Sequence, residues 1–166
     1  MSNMCKAIRF KLPNNEILQI NGDVIKKLSS FKQIESKSTE AGGILLGRII
    51  KETNHLIIDE LTIPSHNDVR KRFYFKRNKN SHQEIVDIRW LESDKTENYF
   101  GEWHTHAEDI PIPSSVDKND WRRRVKEDKL FLFFLISIIV GRKNIGVWLT
   151  DKNKKTVKLR KINVGI

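Results

Sequence analysis

A chain of 166 residues, 38% of them hydrophobic, carries enough apolar surface for one core without disulfide support. Its one cysteine, Cys5, excludes an internal disulfide and fits a reducing, cytoplasmic setting. The net charge of +10 comes from lysines and arginines spread along the chain, with modest clusters at 70–72, 122–124 and 152–161, so a solvated basic surface is expected and nucleic-acid binding is not the main role.

Residues 6–11 and 16–20 alternate apolar and polar around Pro13-Asn14-Asn15, which predicts an opening β-hairpin. Cys5 reads as a small apolar residue beside its first strand. Arg9, Lys11, Asn14 and Glu16 interrupt the stretch from Ile8 to Ile20, which does not read as a signal peptide. Asn21-Gly22-Asp23 starts a helix predicted over 23–36, with Val24, Leu28 and Phe31 on its apolar face. The run from Ile44 to Ile50 reads as a central strand, and Gly42-Gly43 before it allows close backbone approach. Residues 56–63 form another strand, stopped by Pro64; 64–71 is a polar, basic loop; 73–75 is a short strand.

The spacing predicts a helix over 80–93 with Ile85, Ile88 and Leu91 inward, a strand over 99–106 and a helix over 114–129. Leu130 to Val140 is the longest apolar run. It is shorter than the about 20 residues of a membrane span and reads as a strand at the centre of a sheet. Residues 144–150 and 156–164 follow as closing strands. The fold class expected is α+β, one sheet with helices packed on it, with residues 1–166 as a single domain.

The chemistry concentrates in Gly101-Glu102-Trp103-His104-Thr105-His106 and the residues after it. On a strand, residues two apart share a face, so His104 and His106 present two imidazoles side by side while Trp103 and Thr105 face the other way. Two imidazoles suit zinc. Asp117, just inside the next helix, supplies a carboxylate as third ligand and leaves a fourth position open for water. Each part has a plainer reading by itself. Ser114-Ser115-Val116-Asp117 is also a helix capping box, and Glu40 alone would be a surface residue. Glu102 and Glu108 read as exposed carboxylates, Arg122 to Arg124 as the solvated side of the helix, and Trp103 and Trp121 as core aromatics. His55, His66 and His82 lack ligand spacing. A zinc deaminase is excluded, because its paired cysteines cannot come from Cys5 alone.

Together, Glu40, His104-x-His106 and Ser114-x-x-Asp117 resemble the JAMM (JAB/MPN+) metalloprotease motif, and Gly43-Ile44-Leu45-Leu46-Gly47 is similar to the family's segment after its glutamate. Glu108, Pro111, Pro113 and Trp121 make the resemblance closer to bacterial deconjugating peptidases of CBASS antiphage operons, which accompany a cGAS/DncV-like nucleotidyltransferase (CD-NTase) and an E1–E2 fusion protein. The resemblance implies a JAB/MPN domain with a cytidine-deaminase-like core. It implies Zn²⁺ on His104, His106 and Asp117, Glu40 as general base, and Ser114 as oxyanion donor. The implied reaction is hydrolysis of an isopeptide bond after the C-terminus of a conjugated CD-NTase; the alternative substrate is a bacterial ubiquitin-like modifier. Ala107 stands where the family has proline, so the loop after His106 is expected to be slightly looser, with no chemical group lost.

Overall fold

A computed structural model describes residues 4–163. Strands β1 (Ile8–Lys11) and β2 (Ile17–Ile20) form the opening hairpin, and α1 (Gly22–Ser30) follows. Then come β3 (Gly42–Ile49), β4 (Leu56–Leu61), the small pair β5 (Val69–Lys71) and β6 (Tyr74–Lys76), and α2 (Lys79–Glu92). The chain continues through β7 (Asn98–Thr105), α3 (Ser115–Glu127), β8 (Phe134–Val140), β9 (Ile145–Asp151), β10 (Thr156–Lys158) and β11 (Arg160–Ile162).

Nine strands make one mixed sheet in the order β10-β9-β8-β7-β3-β4-β2-β1-β11. The β2–β4 and β7–β8 pairs are parallel, and the others antiparallel. The consecutive strands β10 and β11 pair with β9 and β1, at opposite ends of the order, so one segment ties both edges of a curled sheet together. The link is Leu159, buried in the core, whose N–H donates to the Val147 carbonyl at 2.8 Å. The segment covers β9 and β1, whose edges would otherwise be open to pairing with other chains.

The strand period of two divides the apolar residues between the two faces. From β8, Ile136, Ile138 and Val140 join Val24, Ile25 and Leu28 of α1 in the main core. Leu135 and Ile139 point to the opposite face, where they meet Trp121 and Val125 of α3 and Trp148 of β9. Ile44 and Leu46 of β3 meet Val86 of α2 on that second face. Thus α1 covers one side of the sheet and α2 and α3 the other. Where β7 passes β8, a Cβ on Gly101 would lie 1.7 Å from the Ile136 carbonyl oxygen, so only glycine fits at this point of the strand that leads into the histidines.

Several elements differ from the sequence reading. The first helix ends at Ser30 instead of continuing to 36. Gln33 is buried, its amide donates to the carbonyls of Ser38 and Arg72, and its oxygen accepts from Thr105 Oγ1. Those long-range bonds outweigh the helical pattern of 31–36. In α2 the buried residues are His82 and Val86, whereas Ile85, Ile88 and Leu91 are exposed. The rotation of this helix is set by the hydrogen bonds of His82, not by its isoleucines. Part of the expected 64–71 loop is the strand β5, and the strand expected from Leu130 starts at Phe134. The last strand is broken into β10 and β11 at Leu159; its expected end, Val164, lies outside the described residues. Cys5, three residues before β1, is exposed.

Candidate metal centre

His104 is next to last in β7, and His106 follows its last residue. Trp103 and Thr105 are buried on the opposite face: the Trp103 indole donates to the Thr62 carbonyl at 3.0 Å, and Thr105 Oγ1 accepts from the Ala41 N–H at 3.0 Å. With its neighbours fixed this way, β7 turns both imidazoles to the site. His104 Nε2 and His106 Nε2 lie 3.0 Å apart.

Asp117 closes the cluster. Its Oδ1 is 3.1 Å from His104 Nε2 and its Oδ2 is 3.2 Å from His106 Nε2. Helix α3 starts with a complete capping box, in which Ser114 Oγ accepts from the Asp117 N–H at 3.1 Å and Asp117 Oδ2 accepts from the Ser114 N–H at 2.8 Å. The plain reading of this segment therefore holds, and the same cap orients the carboxylate toward the histidines. Accepting from Asp117 uses a lone pair on Ser114 Oγ and leaves the hydroxyl proton available to an external acceptor. Ser114 is exposed, as that use requires.

Glu40 lies just before β3. The register of Gly42 opposite His104, continued by the bond from the Thr105 N–H to the Ala41 carbonyl, brings Glu40 level with His106. Its main chain is held by the β5–β6 hairpin: the Glu40 N–H donates to the Lys71 carbonyl, and its own carbonyl accepts from Arg70 Nε, each at 2.8 Å. Phe75 of the hairpin packs on Gly42, where a Cβ would sit 2.5 Å from the ring.

The electrostatics suit a cation. For Asp117, burial acts to raise the pKa, but hydrogen bonds from His104 and His106 overcome it and hold the carboxyl far below the ordinary range. For His106, burial disfavours charge, yet hydrogen bonds to Asp117 and Glu108 lift its pKa to about 9. Glu40 is pushed upward, chiefly by burial, with His104 and His106 opposing and Asp117 reinforcing. The site thus holds an ionised carboxylate facing two imidazoles, with a second, more basic carboxylate beside them.

The donor geometry fits zinc. His104, His106 and Asp117 each offer one ligand atom, and these lie within 4.8 Å of one another. Donors on a tetrahedral ion with bonds of about 2.0–2.1 Å stand about 3.3 Å apart, close to the observed 3.0–3.2 Å. His106 Nδ1 is 2.8 Å from Glu108 Oε1, the carboxylate–histidine contact that orients metal-binding imidazoles.

Three side chains depart from the sequence reading. Glu102 is buried, not exposed; it forms an ion pair with Arg124, whose Nε lies 2.7 Å away, and accepts from Arg77 Nη1 at 3.2 Å. Arg124 is accordingly drawn inward and is not on the solvated side of α3. Glu108 is partly exposed but is engaged with His106 and the Ile112 N–H. A usable signal existed: Glu102 shares a strand face with His104, and Arg124 lies two helical turns after Asp117. A separate buried chain runs from Asp68 to His82 (2.9 Å) to Thr62 Oγ1 (2.6 Å). It resembles a nucleophile triad, but Thr62 is 2% exposed and its hydroxyl oxygen accepts from the Ile44 N–H. No substrate reaches it, so it anchors the 64–78 segment instead.

Comparison with known proteins then places the chain. Residues 28–154 match the family described as prokaryotic homologs of the JAB domain. The chain belongs to the prokaryotic JAB family. Among its JAB relatives, a Vibrio cholerae protein named CD-NTase/cGAS isopeptidase is 34% identical over 92% of both chains. Proteins of the same name from Escherichia coli (36% identical, 84% of each chain) and Pseudomonas aeruginosa (33%, 82% of this chain and 84% of the relative) also match. A solution structure of a Desulfitobacterium hafniense protein shares the fold with a TM-score of 0.53 at 14% identity, covering 84% of this chain and 87% of that one. As a JAB protein with isopeptidase relatives, the chain is a hydrolytic enzyme of the peptidase class acting on protein.

Proposed function

We propose that this JAB protein, read as one JAB/MPN domain over residues 1–166, is a zinc isopeptidase that releases a conjugated CD-NTase from its target proteins in CBASS antiphage defence. The observation that carries the reading is the convergence of His104, His106 and Asp117 beside Glu40. The names of three relatives spanning most of the chain support a CD-NTase as the substrate.

His104, His106 and Asp117 would hold Zn²⁺. When bound, zinc supplies Lewis-acid chemistry, acidifying water toward a pKa of about 7 and polarising a carbonyl. Glu40 takes a proton from the attacking water and returns it to the leaving lysine amine; its burial, which pushes its pKa upward, makes it a better acceptor for the first transfer. Ser114 donates its free hydroxyl proton to the oxyanion formed at the scissile carbonyl. Water adds across one amide bond, giving a C-terminal carboxylate and a lysine amine. The partner that makes the bond would be an E1–E2 fusion enzyme, and the setting the cytoplasm. Lone Cys5 supports that setting, and among the described residues no helix is long and apolar enough to cross a membrane.

The test is a purified CD-NTase fused through its native C-terminus to a reporter, incubated with and without a zinc chelator. Cleavage after the last native residue, abolished by chelator and restored by zinc, is the expected result. No cleavage of this fusion, with cleavage of a bacterial ubiquitin-like fusion, would transfer the same chemistry to the alternative substrate.

A further inference from the structure

The face of β7 that carries the histidines also carries Glu102, two residues before His104. The face of α3 turned toward it carries Asp117, Trp121 and Arg124. Tyr99, near the start of β7, donates to Asp128 just past α3 at 3.0 Å, and within the helix two contacts join it to the strand: Asp117 with His104 and His106, and Arg124 with Glu102 at 2.7 Å. Their spacings match. Seven residues of helix rise about 10.5 Å. Three residues of strand, from Glu102 to the level between the two histidines, span about 10 Å.

Between these points the helix is anchored by Trp121, which packs against Trp148, and the two polar contacts lie on either side of that anchor. Only Trp121 and Val125 of its thirteen residues are buried. The Glu102 side chain is 10% exposed, that of Arg124 18% and that of Arg77 12%, so the ion pairs are shielded from water. Arg77 enters from the chain just after β6, which ties the same carboxylate to the segment whose hairpin holds Glu40. Arg124 also contacts Asp120 at 2.8 Å and Asp128 at 3.7 Å, which keep its guanidinium aimed inward.

We propose that Glu102 is a positioning residue for the metal centre: through Arg124 it fixes the rotation and register of α3, and so the placement of Asp117 on the His104–His106 pair. The inference rests on the zinc-site reading above. Glu102 touches no reacting group; it acts through the helix. Losing its charge leaves the three ligands in place but frees the helix that presents one of them.

The test is zinc affinity, measured by competition with a chromophoric chelator, together with kcat and KM on the CD-NTase fusion. Glu102→Gln is expected to weaken zinc binding about 10–100-fold, the range for residues that orient metal ligands, and to lower kcat with KM held. Arg124→Lys retains the charge but loses the Nε contact, and is expected to show a smaller loss of the same sign. It carries the test if Glu102→Gln does not fold. In Glu102→Gln/Arg124→Lys the losses of the two single variants should fail to add, because one contact is shared. Wild-type zinc affinity in a folded Glu102→Gln or Arg124→Lys protein, even with a lowered melting temperature, or additive losses in the double variant, would overturn the proposal and leave the zinc-site reading standing. A wild-type protein that binds no zinc would overturn both.

Discussion

At the scale of single residues, the cluster assigns distinct work to groups that sequence places far apart. Glu40 lies outside the set of convergent ligand atoms yet within their electrostatic reach. Glu40→Gln is therefore expected to retain zinc, measured by elemental analysis, while losing about 10²–10⁴-fold in kcat. Ser114→Ala removes both a helix cap and the oxyanion donor. It should lower kcat by about 10²–10³-fold and stability by about 1 kcal/mol, measured by turnover and chemical denaturation on one preparation. The pairing of His106 with Asp117 adds a pH dependence. In zinc-free protein the His106 pKa rises from 6.5 to about 9, so its contribution to stability is complete below 6.5 and lost as pH rises through 9. Asp117, with its pKa depressed below 3.8, contributes above that value and loses its contribution as pH falls through its folded pKa. Thermal melts of chelated protein should thus decline from pH 6.5 to 9. Zinc affinity should rise over the same interval, because the ligands bind zinc only as neutral imidazoles.

At the scale of elements, α3 presents a ligand while burying only two apolar side chains. Trp121 packs against Trp148 with ring centroids 5.9 Å apart and anchors the helix to β8 and β9. Trp121→Ala should cost about 3–5 kcal/mol in chemical denaturation, as expected for truncating a large aromatic in a packed site. The β5–β6 hairpin is fixed differently, by polar bonds. Asp68 joins the Ser65 and Asn78 N–H groups and His82 at the base of this segment, and Lys71 and Arg70 then hold the main chain of Glu40. Here the sequence pattern misled. Ile85, Ile88 and Leu91 carry the helical period on α2, but the bonds of His82 to Thr62 and Asp68 turn that stripe to solvent. A buried polar network that must be satisfied outweighs three isoleucine-sized side chains, because leaving His82 and Asp68 unpaired would cost more than exposing partly buried hydrocarbon.

At the scale of the whole molecule, the segment from 156 to 162 joins both ends of the sheet order. Removing everything after Asp151 would expose the edges of β9 and β1 together. The shortened chain is expected to aggregate, seen in size-exclusion chromatography as a shift from the elution position of the full chain to the void volume. The +10 charge does not protect such edges by itself, since its lysines and arginines are spread over the surface.

Periodicity and turn chemistry were enough to locate most strands and, among the described residues, the three helices; the spacing of His104, His106 and Asp117 marked a candidate metal cluster, and the family resemblance added Glu40 and Ser114. Those features are local: a strand period of two, a capping box and a two-residue histidine interval are written in neighbouring residues. The burial of Glu102, the inward turn of Arg124, the rotation of α2 and the end of α1 at Ser30 were decided only by the tertiary structure. Each depends on a partner tens of residues away, whose hydrogen bond gains its worth from burial that the folded sheet alone provides.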